Sequence, residues 1–305
     1  MNAVGAPRFA AEWLALRERA DAAARAPELL HPLRSRLNAQ LPRSSPAPAG
    51  RPASEAAPAP HELVIRDLGC GTGSMGRWLA VRLPGPQRWI LHDHDPALLA
   101  CAGDRLPSTA ANGRPVTVTT ECGDLTGLTA GTLAGTSLLT ASALLDLLTH
   151  DEMDALAATC VAAGCPALLT LSVTGRVELT PSEPLDAAIA AAFNDHQRRT
   201  DRGRRLLGPD AIAAATEAFE RRGATVLTQS SPWRLGGPEA ALTASWLRGW
   251  VGAAVAQRPD LALRGIAYLR RRLAACAAGE LSVTVHHTDL LALPLPLPLP
   301  VTGTG

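Results

Sequence analysis

The stretch ELVIRDLGCGTGSMGRWLA, residues 62–80, constrains the fold of this chain more than any other. A run of strand formers ending at Leu68 gives way to helix formers from Ser74, with Gly69, Gly71 and Gly73 at the junction. Glycines at this spacing leave the turn free of Cβ atoms, so a ligand can lie directly on the main chain. Beyond the turn the pattern alternates. Strand candidates fall at 62–68, 88–93, 115–120, 137–142 and 166–173. Helix candidates fall between them at 73–83, 96–106 and 150–164, with a weaker one near 125–134. The strand centres LVI and WIL are wholly apolar, as in strands buried on both faces. Such alternation predicts an α/β fold with a doubly wound, Rossmann-like parallel sheet.

Upstream, residues 8–41 predict two helices broken near Pro27, the first with Phe9, Trp13, Leu14 and Leu16 near one side. Residues 42–60, PRSSPAPAGRPASEAAPAP, carry too little apolar bulk to build a core and read as a flexible linker. Downstream, helices are expected at 184–199, 209–222 and 238–278, the last interrupted near Pro259, with strands at 224–230 and 281–287. Residues 293–300 alternate Leu and Pro and lack the N–H groups of an inner strand, so a polyproline or disordered tail is expected over 293–305. The organisation is then a helical cap (1–41), a linker (42–60), a ligand-binding domain (61–292) with a helical insertion at about 176–208, and the tail.

A formal net charge of +1 gives no pull toward nucleic acid or an acidic membrane. All 29 basic residues are Arg, a bias that weakens any reading of single arginines as anion ligands; Arg202, Arg204 and Arg205 therefore read as a solvated loop. The six cysteines lack zinc-type spacing, no secretory signal opens the chain and no apolar run reaches the length of a membrane span. A cytoplasmic protein with reduced thiols and no membrane partner is expected. The sequence leaves its oligomeric state open.

Three acids stand where the ends of neighbouring strands are expected. Asp67 precedes the glycines, and a carboxylate there would repel pyrophosphate but suit a cationic tail. Ser74 also occupies the place of the third glycine in G-x-G-x-x-G, which counts against a nicotinamide-dependent oxidoreductase. Asp93 ends the second strand, where an acid can bind ribose hydroxyls, and Asp124 follows the third, where one can accept from an exocyclic amine. HDHD at 92–95 has metal-ligand residue types, but strand alternation splits His92 and His94 from Asp93, and no metal is expected. The three acids together describe a pocket for a ribose-linked adenine with an amino-acid-like tail.

DLGCGTGSMGRWLA, with LHDHDPALLA, GDL and LLTASALLDLL after it, resembles the class I S-adenosylmethionine (SAM)-dependent methyltransferase superfamily over residues 62 to about 175. The resemblance implies a seven-stranded sheet with an antiparallel last strand, SAM as cofactor and S-adenosylhomocysteine (SAH) as product. It implies that Asp67, Gly69, Gly71 and Gly73 approach the methionine part, and that Asp93 and the adjoining His94 meet the ribose. It further places Asp124 and Leu125 at the adenine, and Ser142 near the sulfonium.

Methyl transfer needs an acceptor aligned behind the methyl group and, for some acceptors, a base. In the insertion, Leu185, Ile189 and Phe193 recur every four residues, and a helical wheel puts His196 in the middle of that face with Gln197 at its edge. His196 is the candidate general base, and Asp146, after strand four, a candidate to orient an amine or hydroxyl. Trp13 and Arg17, one helical turn apart, are candidate lid residues toward the substrate. The N-P-P-Y-type motif of amino-directed nucleic-acid methyltransferases is absent after strand four, so a small-molecule acceptor at oxygen or nitrogen is expected. The alternatives are a non-catalytic SAM- or partner-binding protein of the same fold and the NAD-dependent oxidoreductase.

Overall fold

In the computed structural model, which describes residues 10–40, 62–124 and 127–295, the expected alternation becomes one sheet flanked by helices. Strands β1 (Leu63–Leu68), β2 (Gln87–Asp93), β3 (Val116–Cys122), β4 (Leu138–Ser142) and β5 (Ala167–Thr180) are mutually parallel, with β1 central between β2 and β4. Strand β10 (Ser282–Leu293) is antiparallel to β5, to β8 (Thr225–Ser230) and to the short β9 (Trp233–Leu235). The order is β3-β2-β1-β4-β5-β10-β8, with β9 added on β10. The chain thus has the doubly wound, Rossmann-like architecture with an antiparallel final strand. The order reverses between β1 and β4, so ligands should gather beyond the carboxyl ends of the central strands.

Two apolar clusters sandwich the sheet. On one face, α2 (Leu30–Gln40), α3 (Ser74–Ala80) and α4 (Pro96–Gly103) bring Leu33, Trp78 and Leu99 onto Ile65, Trp89 and Leu138. On the other, α5 (His150–Ala162) and α7 (Ala211–Glu220) bring Met153 and Phe219 onto Leu139, Leu169 and Leu290. Thr149 starts α5 with a capping box: its hydroxyl accepts from the Glu152 N–H, and the Glu152 side chain accepts from the Thr149 N–H. A third cluster lies beyond the central sheet. There β9 and the far halves of β5 and β10 carry α6 (Asp186–Gln197), α8 (Ala240–Gln257) and α9 (Ala262–Ala277) around Ile189, Leu247 and Tyr268. Trp246 and Trp250 stack with ring centres 4.9 Å apart, the packing role expected of an i, i+4 pair.

The structure departs from the sequence expectation at several elements. β5 runs to Thr180 and not 173, and β10 to Leu293 and not 287. Their mutual register shifts twice, and Leu171 (φ 58°) and Gly175 (φ 78°) sit left-handed within β5, so its pattern lacks a clean period. The weak helix near 125–134 is not helical from 128 onward. There Thr129 and Thr132 bond each other's backbone N–H groups through their hydroxyls, a local alternative to helical hydrogen bonds. Residues 200–205 form a hairpin of β6 (Thr200–Asp201) and β7 (Arg204–Arg205) that the sequence did not announce. The expected linker at 42–60 and the tail from 296 lie outside the described residues.

Candidate functional site

The carboxyl ends of β1, β2, β3 and β4 open into a cavity of about 620 Å³, within the size range of small-molecule and cofactor sites. The glycine turn forms one wall. Gly69, Gly71 and Gly73 have φ values of 56°, 54° and 83°, where side chains other than glycine's are strained. A Cβ on Gly71 would also stand 3.0 Å from the Leu14 side chain of α1 (Ala11–Ala24), which lies across the turn. Gly69 and Gly71 line the cavity, whereas Gly73 faces Leu106 and Ala102 and does not.

Asp67, at the end of β1, is fully buried at the cavity wall. Thr140, its register partner on β4, donates to Oδ1 at 2.7 Å, while Oδ2 has no hydrogen-bond partner among the described residues. Burial raises the Asp67 pKa to about 7, against the lowering effects of the Thr140 hydrogen bond and the Arg25 charge. Asp93 is held differently. Its Oδ2 accepts the Gly71 N–H at 2.9 Å and its Oδ1 the Asp95 N–H at 3.0 Å, which ties the glycine turn to the end of β2. His94 Nδ1 lies 3.3 Å from Asp93 Oδ1, and Asp95 caps α4 through the Ala97 N–H. Asp93, His94, Asp124 and Ser142 all line the cavity, and Leu125 lies outside the described residues. Among the described residues no cluster of His, Cys, Asp and Glu is arranged to hold a metal ion.

Helix α1 closes the top. Arg17 lines the cavity, paired to Asp21 at 2.9 and 3.1 Å, with its guanidinium 4.9 Å from the centre of the Trp233 ring. The Trp233 indole N–H donates to Asp21 at 3.0 Å, and Glu18 takes a bidentate bond from Arg77 of α3 at 2.6 and 2.7 Å. The opposite side is formed by α5 and the β6–β7 hairpin, where Arg204 donates to Glu152 at 2.9 and 2.6 Å and to the Leu147 carbonyl at 3.1 Å. Arg199, Asp201, Arg202 and Arg204 line this side, so the segment expected to be a solvated loop is in part a cavity wall.

Other expected pocket residues do not line the cavity. Trp13 packs beside the third apolar cluster, with Trp233 and Trp246. His196 and Gln197 end α6, whose apolar face (Leu185, Ile189 and Ala192) joins the α8 residues Leu242 and Leu247 in that cluster and does not face the cavity. Burial moves the His196 pKa downward, with Arg199 adding to the effect. Gln197 meets the tight turn at Gly208. Asp146 sits in the turn after β4, between the lining residues Leu144 and Leu147, and burial raises its pKa to about 6.

Two features had no signal in the sequence. Ala143, the lining residue after Ser142, is left-handed at φ 51°, a local strain of about 1–3 kcal/mol at the mouth of the site. Arg25, just past α1, is 2% exposed, and its Nη2 donates at 3.1 Å to both Ser74 and Ser142.

Neither a scan against protein-family models nor a search of curated proteins gave a match. Solved structures of similar shape include the cyclopropane synthase MmaA2 from Mycobacterium tuberculosis, at 15% identity and a TM-score of 0.41 over 76% of this chain and 78% of that one. A mycolic acid cyclopropane synthase complexed with SAH gives 16% identity and a TM-score of 0.40 over 75% and 78% of the two chains. A putative sarcosine dimethylglycine methyltransferase from Galdieria sulphuraria gives 12% and 0.37 over 76% and 78%. All three are loose likenesses.

Proposed function

We propose that the chain is a class I SAM-dependent methyltransferase acting on a small molecule. The observation that carries this reading is the set of carboxylates at three adjacent strand ends, Asp67, Asp93 and Asp124, around a cavity floored by the glycine turn. The residues fit SAM. Asp67 offers a buried, unpartnered Oδ2 to an ammonium, and the bare backbone at Gly69 and Gly71 admits close approach. Asp93 and His94, at the end of β2, would meet the ribose, and Asp124, after β3, would meet the adenine. SAM bound there supplies an electrophilic methyl group to a nucleophile aligned behind it. The chain's own part is to orient and to exclude water: α1 covers the cofactor side, and α5 with the β6–β7 hairpin encloses the acceptor side.

A second reading, binding of SAM without turnover, is favoured by the position of His196 and Asp146 outside the cavity lining. Incubation with methyl-labelled SAM and a panel of small alcohols, amines and carboxylic acids separates the two. Transfer of label to an acceptor, with formation of SAH, is the expected result. SAM binding without transfer to any acceptor class would favour the second reading.

A further inference from the structure

The wall of the cavity formed by α5 and the β6–β7 hairpin differs in character from the strand-end side. Leu144 and Leu147 in the turn after β4, Leu148 and Leu156 at and within α5, and Leu206 after the hairpin give it an apolar surface. The backbone holds that surface in place. The Leu207 N–H donates to the Leu148 carbonyl at 2.8 Å, and the Leu206 N–H donates to the Arg199 carbonyl at 3.2 Å. Two arginines of this wall are engaged differently. Arg204 is bonded to Glu152 and to the Leu147 carbonyl, and it stands opposite Asp201 in the hairpin register. Arg199, just past α6, lines the cavity half-buried, and its Nη1 donates to the His196 carbonyl at 3.1 Å. It forms no ion pair among the described residues. A guanidinium carries five N–H donors in a planar fork, so an edge of Arg199 is left to grip a carboxylate. A wholly uncharged ligand laid on the leucines would strip water from Arg199 and give it nothing in return, at the cost of an unpaired buried charge. A ligand that brings its own anion avoids that cost.

With methyl transfer from SAM as proposed above, we infer that the acceptor is an apolar acid, its hydrocarbon body on the leucines of this wall and its carboxylate paired with Arg199. The turn after β4 leads from Ser142 through Leu144 and Leu147 to the bonds with Arg204 and Leu207, so the acidic end of the ligand points away from the cofactor. Arg199 is thus a specificity residue: it selects and orients the acceptor and takes no part in the bond changes.

The test uses the intact protein saturated with SAH, so that the cofactor side is filled. Calorimetric titration follows with butanoate, hexanoate, octanoate and decanoate and with the matching primary amides. Affinity should rise by up to about fourfold for each added methylene as the leucines are covered. Each acid should bind at least about tenfold more tightly than its amide, the scale of a charge-assisted hydrogen bond. Arg199→Gln should abolish the preference for the acid and leave the amides and SAH itself unchanged, and Arg199→Lys should keep part of the preference. Equal wild-type affinity for acid and amide, no binding of either to the SAH complex, or an acid preference that survives in Arg199→Gln would overturn the subsite. The wild-type comparison decides by itself where loss of SAH binding shows that a variant has not folded. Wild-type protein that does not bind SAH would instead overturn the cofactor reading.

Discussion

Asp67 has one oxygen bonded to Thr140 and the other open, in a site where desolvation outweighs the field of Arg25 and lifts the pKa to about 7. A folded-state pKa above the ordinary 3.8 means that the folded protein holds this proton more tightly than the unfolded chain. The stability that Asp67 contributes to the ligand-free protein should therefore be fully present below about pH 4 and be lost as the pH rises through about 7. An ammonium placed on Asp67 reverses the preference and draws the pKa down. SAH binding at about pH 6 should then release close to one proton, and at about pH 8.5 almost none. Titrations in buffers of different ionisation enthalpy read this directly; no proton release at pH 6 would remove Asp67 as the ammonium partner. Asp67, Asp93 and Asp124 were legible in the sequence because strand ends and glycine spacing are local. Arg25 was not. It joins Ser74 and Ser142 across separations of 49 and 117 residues, and only the folded sheet brings them together.

Helix α1 was visible as an apolar pattern, but what it covers depends on long-range pairs. The Glu18–Arg77 pair pins it to α3, and the Arg77 hydrogen bond holds the Glu18 carboxyl below its usual range against the opposing effect of partial burial. Glu18→Ala should cost about 1 kcal/mol or less. Hydrogen exchange should quicken in α1 while the β1–β2 amides keep their protection; unchanged exchange in α1 would show that this pair does not pin the cap. Asp289 on β10 is a deeper tie. It accepts from the Leu171 N–H at 2.7 Å, the Ala26 N–H at 2.8 Å and the Ser231 hydroxyl at 2.6 Å, so it joins the left-handed Leu171 of β5 to the segment beside Arg25. Asp289→Ala leaves two buried N–H groups without an acceptor, at roughly 2–5 kcal/mol. Denaturant unfolding should show that loss, and a change under about 0.5 kcal/mol would contradict the role given to Asp289. The carboxyl-terminal stretch of β10, 288–293, escaped the sequence for a different reason. Positions buried on both faces, such as Leu290, Leu291 and Ala292, show no alternation to read.

At the scale of the whole molecule, the parallel sheet and glycine turn build one side of the cavity from local sequence, while the cap and the α5–hairpin wall close it by long-range packing. That division explains why the strand-end acids and glycine turn of the cavity could be read from the sequence and the α5–hairpin wall could not. His196 looked apolar-faced because α6 packs with α8, while Arg202 and Arg204 looked solvated because nothing in their spacing reveals the wall they join. Under the proposed function the sheet frames a nucleoside with a charged tail, and the central claim concerns which nucleoside. The most direct test is calorimetric titration of the intact protein and of Asp93→Ala with SAM, SAH and NAD. SAM and SAH should bind the wild-type protein and NAD should not, and Asp93→Ala should bind SAH at least about tenfold more weakly. Binding of NAD in place of SAM and SAH, or no binding of either, would contradict the assignment.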